Sequence, residues 1–181
     1  MICLAAGLAF PPWCSAAGEG TPFPAYGTGP VEVRVYSDYF CPPCRALEPQ
    51  IEPLLIDLLK KNTIRLTLVD TPYHKHTPLY ARYFLYALKA NNAPEQALKV
   101  RAFLYELSSG DVTTPEQMET VFKKRGIAFR SFDPKPLFER YNDLLKEDKI
   151  NATPTVVILR EGKKEKWIGG TDILKALQGL P

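Results

Sequence analysis

The sequence predicts an α/β domain: a small mixed sheet built as β-α-β and then β-β-α, interrupted by a block of helices. Three observations carry this reading. Period-two, β-branched runs stand at both ends of the chain. The first strand, helix and second strand fit within about 40 residues, the span of one βαβ unit. Between the two halves, Thr77 to Asp148 repeats with helical periodicity.

Val31 to Tyr36 alternates strictly and is predicted as the first strand. From Pro42 a helix runs through Leu47, Ile51, Leu54, Leu55, Leu58 and Leu59. Pro49 and Pro53 each remove an intrahelical donor, so a kink or an irregular first half is expected. Thr63 to Val69 is the second strand, parallel to the first through a right-handed crossover. Helices follow over Tyr80–Ala90 and over Glu95–Leu107, the latter with Leu98, Ala102, Phe103 and Leu107 inward. Thr114-Pro-Glu-Gln117 reads as a capping box, and Gly126 as the stop of that helix. Asp133-Pro134 opens a fourth helix with Leu137, Tyr141, Leu144 and Leu145 inward. Thr155 to Leu159 is a strand, Glu161 to Lys164 a hairpin turn, Glu165 to Ile168 its antiparallel return, and Thr171 to Leu177 the last helix. The boundaries follow: an export signal at 1–17, a Gly/Pro-rich linker or extended lead-in at 18–30, the first half at 31–76, the helical insertion at 77–148 and the second half at 149–181.

The apolar content of 45% and net charge of +3 suit a globular domain. Short basic runs such as Lys123-Lys124-Arg125 are scattered and accompany no nucleic-acid motif, so they read as solvated faces and no nucleic-acid partner is expected. At the N-terminus, Leu4 to Phe10 is apolar but too short to span a membrane, and Ser15-Ala16-Ala17 has the small-x-small form of an export cleavage site. No Lys or Arg precedes Arg34, so the signal is expected to be truncated; a buried or disordered arm is the alternative. Export implies an extracytoplasmic or periplasmic location. An N-terminal membrane anchor through Cys14 fits poorly behind Pro12-Trp13. Cleavage after Ala17 would leave two of the four cysteines, Cys41 and Cys44.

Those two form C-P-P-C where a strand ends and a helix begins. At a helix N-terminus, unpaired N–H groups and the macrodipole favour a negative charge, which promotes the thiolate that attacks disulfides. Cys41 is therefore read as the nucleophile and Cys44, one turn on, as the thiol that resolves the mixed disulfide. A permanent disulfide is a poor staple, because a two-residue loop gains little from chain constraint. A metal site has only His74-x-His76 to add as ligands. Far downstream, Asn151-Ala-Thr-Pro-Thr155 precedes a strand, where a proline in a tight turn could be cis. Placed beside a dithiol, that loop would offer the Thr153 backbone to an extended peptide, while Pro154 keeps a side-chain ligand away from the thiols.

V-R-V-Y-S-D-Y-F-C-P-P-C, followed by A-T-P-T-V-V-I and W-I-G-G-T-D-I-L-K-A-L, resembles the DsbA-like branch of the thioredoxin superfamily over roughly Val31 to Leu177. The resemblance implies a thioredoxin fold, dithiol–disulfide exchange with unfolded or reduced proteins, no cofactor, a monomer, and a cis bond at Pro154. It also implies reoxidation by a membrane quinone-linked partner of the DsbB or vitamin-K-epoxide-reductase kind. The sequence departs from that pattern in two places. Pro43 stands where a histidine often precedes the resolving cysteine, and Val35 where a buried acid is found. Asp38 is the nearest carboxylate and is read either as a proton acceptor or as a cap on the turn. Tyr39 and Phe40 are expected to wall the thiols. Pro42 and Pro43 fit the first helical turn but withdraw two donors from a Cys41 thiolate, so the couple is expected to be less oxidising than a C-P-H-C one. The competing reading is a copper- or zinc-binding chaperone using Cys41, Cys44 and His74 or His76.

Overall fold

The computed structural model describes residues 22–181. The export signal expected at 1–17, with Cys3 and Cys14, lies outside the described residues.

Five strands form one mixed sheet: β1 (Ala25–Tyr26), β2 (Val31–Ser37), β3 (Ile64–Asp70), β4 (Thr155–Arg160) and β5 (Lys163–Ile168). Their order across the sheet is β1-β3-β2-β4-β5. The β2 and β3 strands are parallel, with Ser37 opposite Asp70, and the other pairings are antiparallel. Helix α1 (Pro42–Lys60) connects the parallel pair; α2 (Thr77–Ala90), α3 (Pro94–Leu107), α4 (Pro115–Arg125) and α5 (Lys135–Glu147) form the insertion; α6 (Gly170–Gln178) closes the chain. This is the expected mixed sheet with helices between its halves.

Alternation in β2 decides its two faces. Val31, Val33 and Val35 are buried on one side, and Glu32, Arg34 and Tyr36 point to the other. Helix α1 packs against β3, α3 and α6, with Leu47, Ile51, Leu55 and Leu58 inward. On the opposite face, Arg34, Tyr36 and Lys164 converge on the C-terminal end of α5. Asp148 is fully buried there and accepts hydrogen bonds from Arg34 Nη1 at 3.0 Å, from Lys164 Nζ at 2.6 Å and from the Tyr36 hydroxyl.

Four details differ from the sequence reading. The lead-in contains β1, which lies on the edge of β3: Tyr26 is buried, and a Cβ on Gly29 would come within 2.3 Å of the Thr63 carbonyl carbon. Two paired residues are too few for periodicity to reveal. Helix α1 runs unbroken through Pro49 and Pro53, since both prolines face solvent and the carbonyls they free can be hydrated. The hairpin loop is only Glu161-Gly162, both at positive φ, the geometry that a two-residue turn between twisted strands requires. Helix α3 is turned from its expected face: Ala97, Val100, Arg101 and Leu104 are buried, while Ala102, Phe103 and Leu107 are only partly so. An arginine is almost never fully buried unless it is paired, and Arg101 is paired with Glu48.

Candidate active site

The chain leaves β2 at Ser37, turns through Asp38, Tyr39 and Phe40, and enters α1 at Pro42. The turn is closed by the Cys41 N–H donating to the Asp38 carbonyl at 3.2 Å. Cys41 is the N-cap of α1, with Pro42 and Pro43 exposed in its first turn. Both cysteines are free, buried thiols, three positions apart at the start of α1. Cys41 is 6% exposed and its Sγ donates to the Thr153 carbonyl at 3.3 Å. Cys44 is 2% exposed. Burial pushes the Cys44 thiol up to about 12; the shared hydrogen bond with Cys41 adds to this, against donors from the Asp38 backbone and Thr153. A thiol with that environment stays protonated until a reaction step draws on it.

The Thr153–Pro154 peptide bond is cis. This loop is fixed by the Thr155 hydroxyl donating to Ala152 O at 2.8 Å and by the Gly169 N–H donating to Pro154 O at 3.1 Å. The structure thus brings together Cys41, Cys44, Thr153 and Pro154, which are 112 residues apart between Cys41 and Thr153.

Asp38 is fully buried, and its carboxylate is filled. Oδ1 accepts from the Phe40 N–H at 2.8 Å and the Thr77 hydroxyl at 2.7 Å. Oδ2 accepts from the N–H groups of Tyr73 at 2.8 Å and His74 at 3.1 Å, and faces His74 Nδ1 at 3.1 Å. These contacts pin the β3–α2 loop to the turn before Cys41, which is the turn-bonding role of the two read from sequence. Tyr39 does not wall the thiols toward solvent: it is buried, stacked on Tyr105 and Tyr80 with centroids 5.0 and 5.8 Å away. Phe40 is half-buried, against Tyr80 and His76. Both histidines are thus engaged by Asp38 and Phe40. Among the described residues no group of three or more His, Cys, Asp or Glu side chains is placed to hold a metal ion. The copper or zinc site expected as the competing reading is therefore not assembled.

Sequence reasoning missed a buried charged group behind the thiols. Glu48 lies on α1 one turn beyond Cys44, and Arg101 on α3 donates to it from Nε at 2.7 Å. Nη2 of Arg101 reaches the Ser37 hydroxyl at 2.6 Å and that of Tyr105 at 3.3 Å. Asp70, at the end of β3, is 4.0 Å from Arg101 Nη1, and neither of its oxygens has a hydrogen-bond partner. Burial pushes the Asp70 carboxyl up to about 7, against the pull of Arg101. The signal was present: Glu48 and Arg101 are the charges that interrupt the apolar stripes of their helices.

The family model described as Thioredoxin matches residues 27–168. The chain belongs to the thioredoxin family. Among solved structures, this thioredoxin-family chain is similar to a periplasmic thioredoxin-like protein from Salmonella enterica serovar Typhimurium, with 22% identity, a TM-score of 0.63, and 87% of this chain and 88% of that one covered. It is similar to BdbD from Bacillus subtilis, at 22% identity and TM-score 0.61 over 87% and 91% of the two chains. It also resembles the thiol-disulfide exchange protein alpha-DsbA2 from Wolbachia pipientis, at 18% identity and TM-score 0.63 over 86% and 83%. At these identities the likeness is one of fold. No curated protein matches the sequence significantly.

Proposed function

We propose that this thioredoxin-family protein is a thiol–disulfide oxidoreductase that exchanges disulfides with protein substrates through Cys41 and Cys44. The observation that carries the proposal is the C-P-P-C pair at the start of α1, with the Cys41 sulfur 3.3 Å from the Thr153 carbonyl. A substrate thiolate attacks Cys41 of the disulfide form, Cys44 leaves as a thiolate and takes a proton, and a second substrate thiol displaces Cys41. Two electrons and two protons pass from the substrate dithiol to the protein. The opposite direction begins with Cys41 attacking a substrate disulfide and ends with Cys44 resolving the mixed disulfide.

The Thr153–Pro154 loop is assigned to substrate binding, with the Thr153 backbone pairing to an extended peptide beside Cys41. Pro42 and Pro43 form the exposed rim of the site, and Asp38 holds the turn that aims Cys41. A periplasmic or other extracytoplasmic location is supported by Ser15-Ala16-Ala17 and by the periplasmic relative. Among the described residues no helix is long and apolar enough to cross a membrane. Reoxidation by a membrane quinone-linked protein follows from the resemblance to DsbA-like oxidases.

The test is a Cys44→Ala variant expressed in the native compartment. It should accumulate mixed disulfides through Cys41, dissolved by reductant, whose captured proteins identify substrates and redox partner. The unsubstituted protein should catalyse insulin reduction or oxidise a reduced peptide. No captured species and no exchange would overturn the assignment.

A further inference from the structure

Among the buried contacts that the helical insertion makes behind the thiol pair, one is charged: the side chain of Arg101, which reaches Glu48 and Ser37. On α1, Cys44 and Glu48 are four residues apart, which places their Cβ atoms about 5–6 Å from each other on one face. Both are 2% exposed, so no bulk water screens the Glu48 charge from the Cys44 sulfur. The titratable and charged groups around this point come from every packed element. They are Cys41 on α1, Asp38 and Tyr39 in the turn, Asp70 on β3, and Arg101 and Tyr105 on α3. Arg101 is the one cation among them. Arg45, the next residue after Cys44, is spent on the surface at the Ser109 hydroxyl, 3.3 Å away.

The pair has opposing effects on sulfur chemistry. A negative charge at Glu48 disfavours a second negative charge on Cys44, and Arg101 cancels that charge at 2.7 Å. Cys44 carries negative charge whenever it leaves the Cys41–Cys44 disulfide or attacks a mixed disulfide. Its rate in both steps therefore depends on how completely Arg101 neutralises Glu48. We propose that Arg101, a positioning residue contributed by the helical insertion, holds Glu48 as a compensated ion pair and thereby sets the reactivity of Cys44 in thiol–disulfide exchange. The inference rests on the redox role proposed above.

The experiment measures the rate at which excess glutathione reduces the fully oxidised protein at pH 7, where attack at Cys41 expels Cys44. Glu48→Gln leaves Arg101 with only the more distant Asp70 as counter-charge, and reduction should be about threefold faster. That corresponds to one unit of leaving-group acidity if the leaving sulfur responds with a coefficient of about 0.5, the size found for the attacking thiol. Arg101→Met leaves Glu48 uncompensated, and reduction should be about threefold slower. The double variant Glu48→Gln/Arg101→Met should return close to the parent rate, and Arg101→Lys should stay close to it because the charge is kept. Removing one partner of a buried pair destabilises a fold, but loosening alone would accelerate both single variants. Changes of the same sign in the two single variants, or no change in either, would overturn the proposal. Where Arg101→Met does not fold, Glu48→Asp, which loosens the pair but keeps its charge, decides it: this variant should stay near the parent rate while Glu48→Gln is faster, and acceleration of both would overturn the proposal. A parent protein with no glutathione-reducible Cys41–Cys44 disulfide would instead overturn the redox role itself.

Discussion

Two buried aspartates sit on opposite sides of this molecule and behave oppositely. Asp148, where α5 meets the sheet, is enclosed by Arg34, Lys164 and Tyr36. Burial alone would raise its carboxyl, yet hydrogen bonds from Lys164 and Tyr36 and the Arg34 charge hold it below the usual range. Asp70, behind the thiols, is equally buried but has no hydrogen-bond partner, and it is pushed up to about 7. The difference teaches that burial does not decide whether a carboxyl is charged; the donors around it do. The clip at Asp148 is built for stability. Around Asp70, further buried polar atoms without a partner remain on Tyr39, Arg101 and Tyr141.

The largest expected effect breaks the comparison at its reactive side. Cys41→Ser should abolish insulin reduction while leaving the melting temperature within a few degrees, because no structural bond is lost. A loss of folding instead would place Cys41 in the scaffold. Next, Asp148→Ala removes the buried acceptor shared by Arg34, Lys164 and Tyr36 and should cost about 2 kcal/mol in urea unfolding, with redox activity per folded molecule unchanged. A cost below about 1 kcal/mol would show that Glu147, which also contacts Arg34 and Lys164, carries the clip alone.

The two aspartates also predict pH responses of opposite sign. Asp148 has a lowered folded value, so its stabilisation is present above the unfolded carboxyl value near 3.8 and is lost as pH falls below it. Asp70 has a raised folded value, so the folded state holds the extra proton between about 4 and 7, and stability declines as pH rises through that window. Asp70→Asn should therefore stabilise the protein by on the order of 2 kcal/mol at pH 8 and by little at pH 4. Equal effects at both pH values would mean that folding does not raise the Asp70 carboxyl above its unfolded value. The smallest effect concerns the first turn of α1. Pro43→Ala returns an N–H near the Cys41 sulfur, and the couple should become more oxidising by ~30 mV, the equivalent of one ~1.4 kcal/mol interaction with the thiolate. A parent potential already near ~−120 mV would contradict the expectation that two prolines weaken thiolate stabilisation.

The order of elements was readable from the chain because it depends on local properties. Strict alternation in Val31 to Tyr36, the capping box at Thr114 to Gln117 and the C-P-P-C placed after a strand each act within a few residues. The capping box is seen as expected, with the Thr114 side chain accepting from the Gln117 N–H at 3.3 Å. What the tertiary structure decided depends on partners far along the chain. Arg101 faces inward because Glu48, 53 residues earlier, is there to neutralise it, and no helical period records that pairing. Asp38 holds the turn because Tyr73, His74 and Thr77 bring it three donors, which a linear reading of possible proton acceptors does not weigh. The sequence by itself therefore singled out the two residues proposed to carry exchange chemistry, since thiols at a helix start have few other uses. Their electrostatic setting was decided only when α3 packed on α1, because charge effects in a buried site follow distance through space.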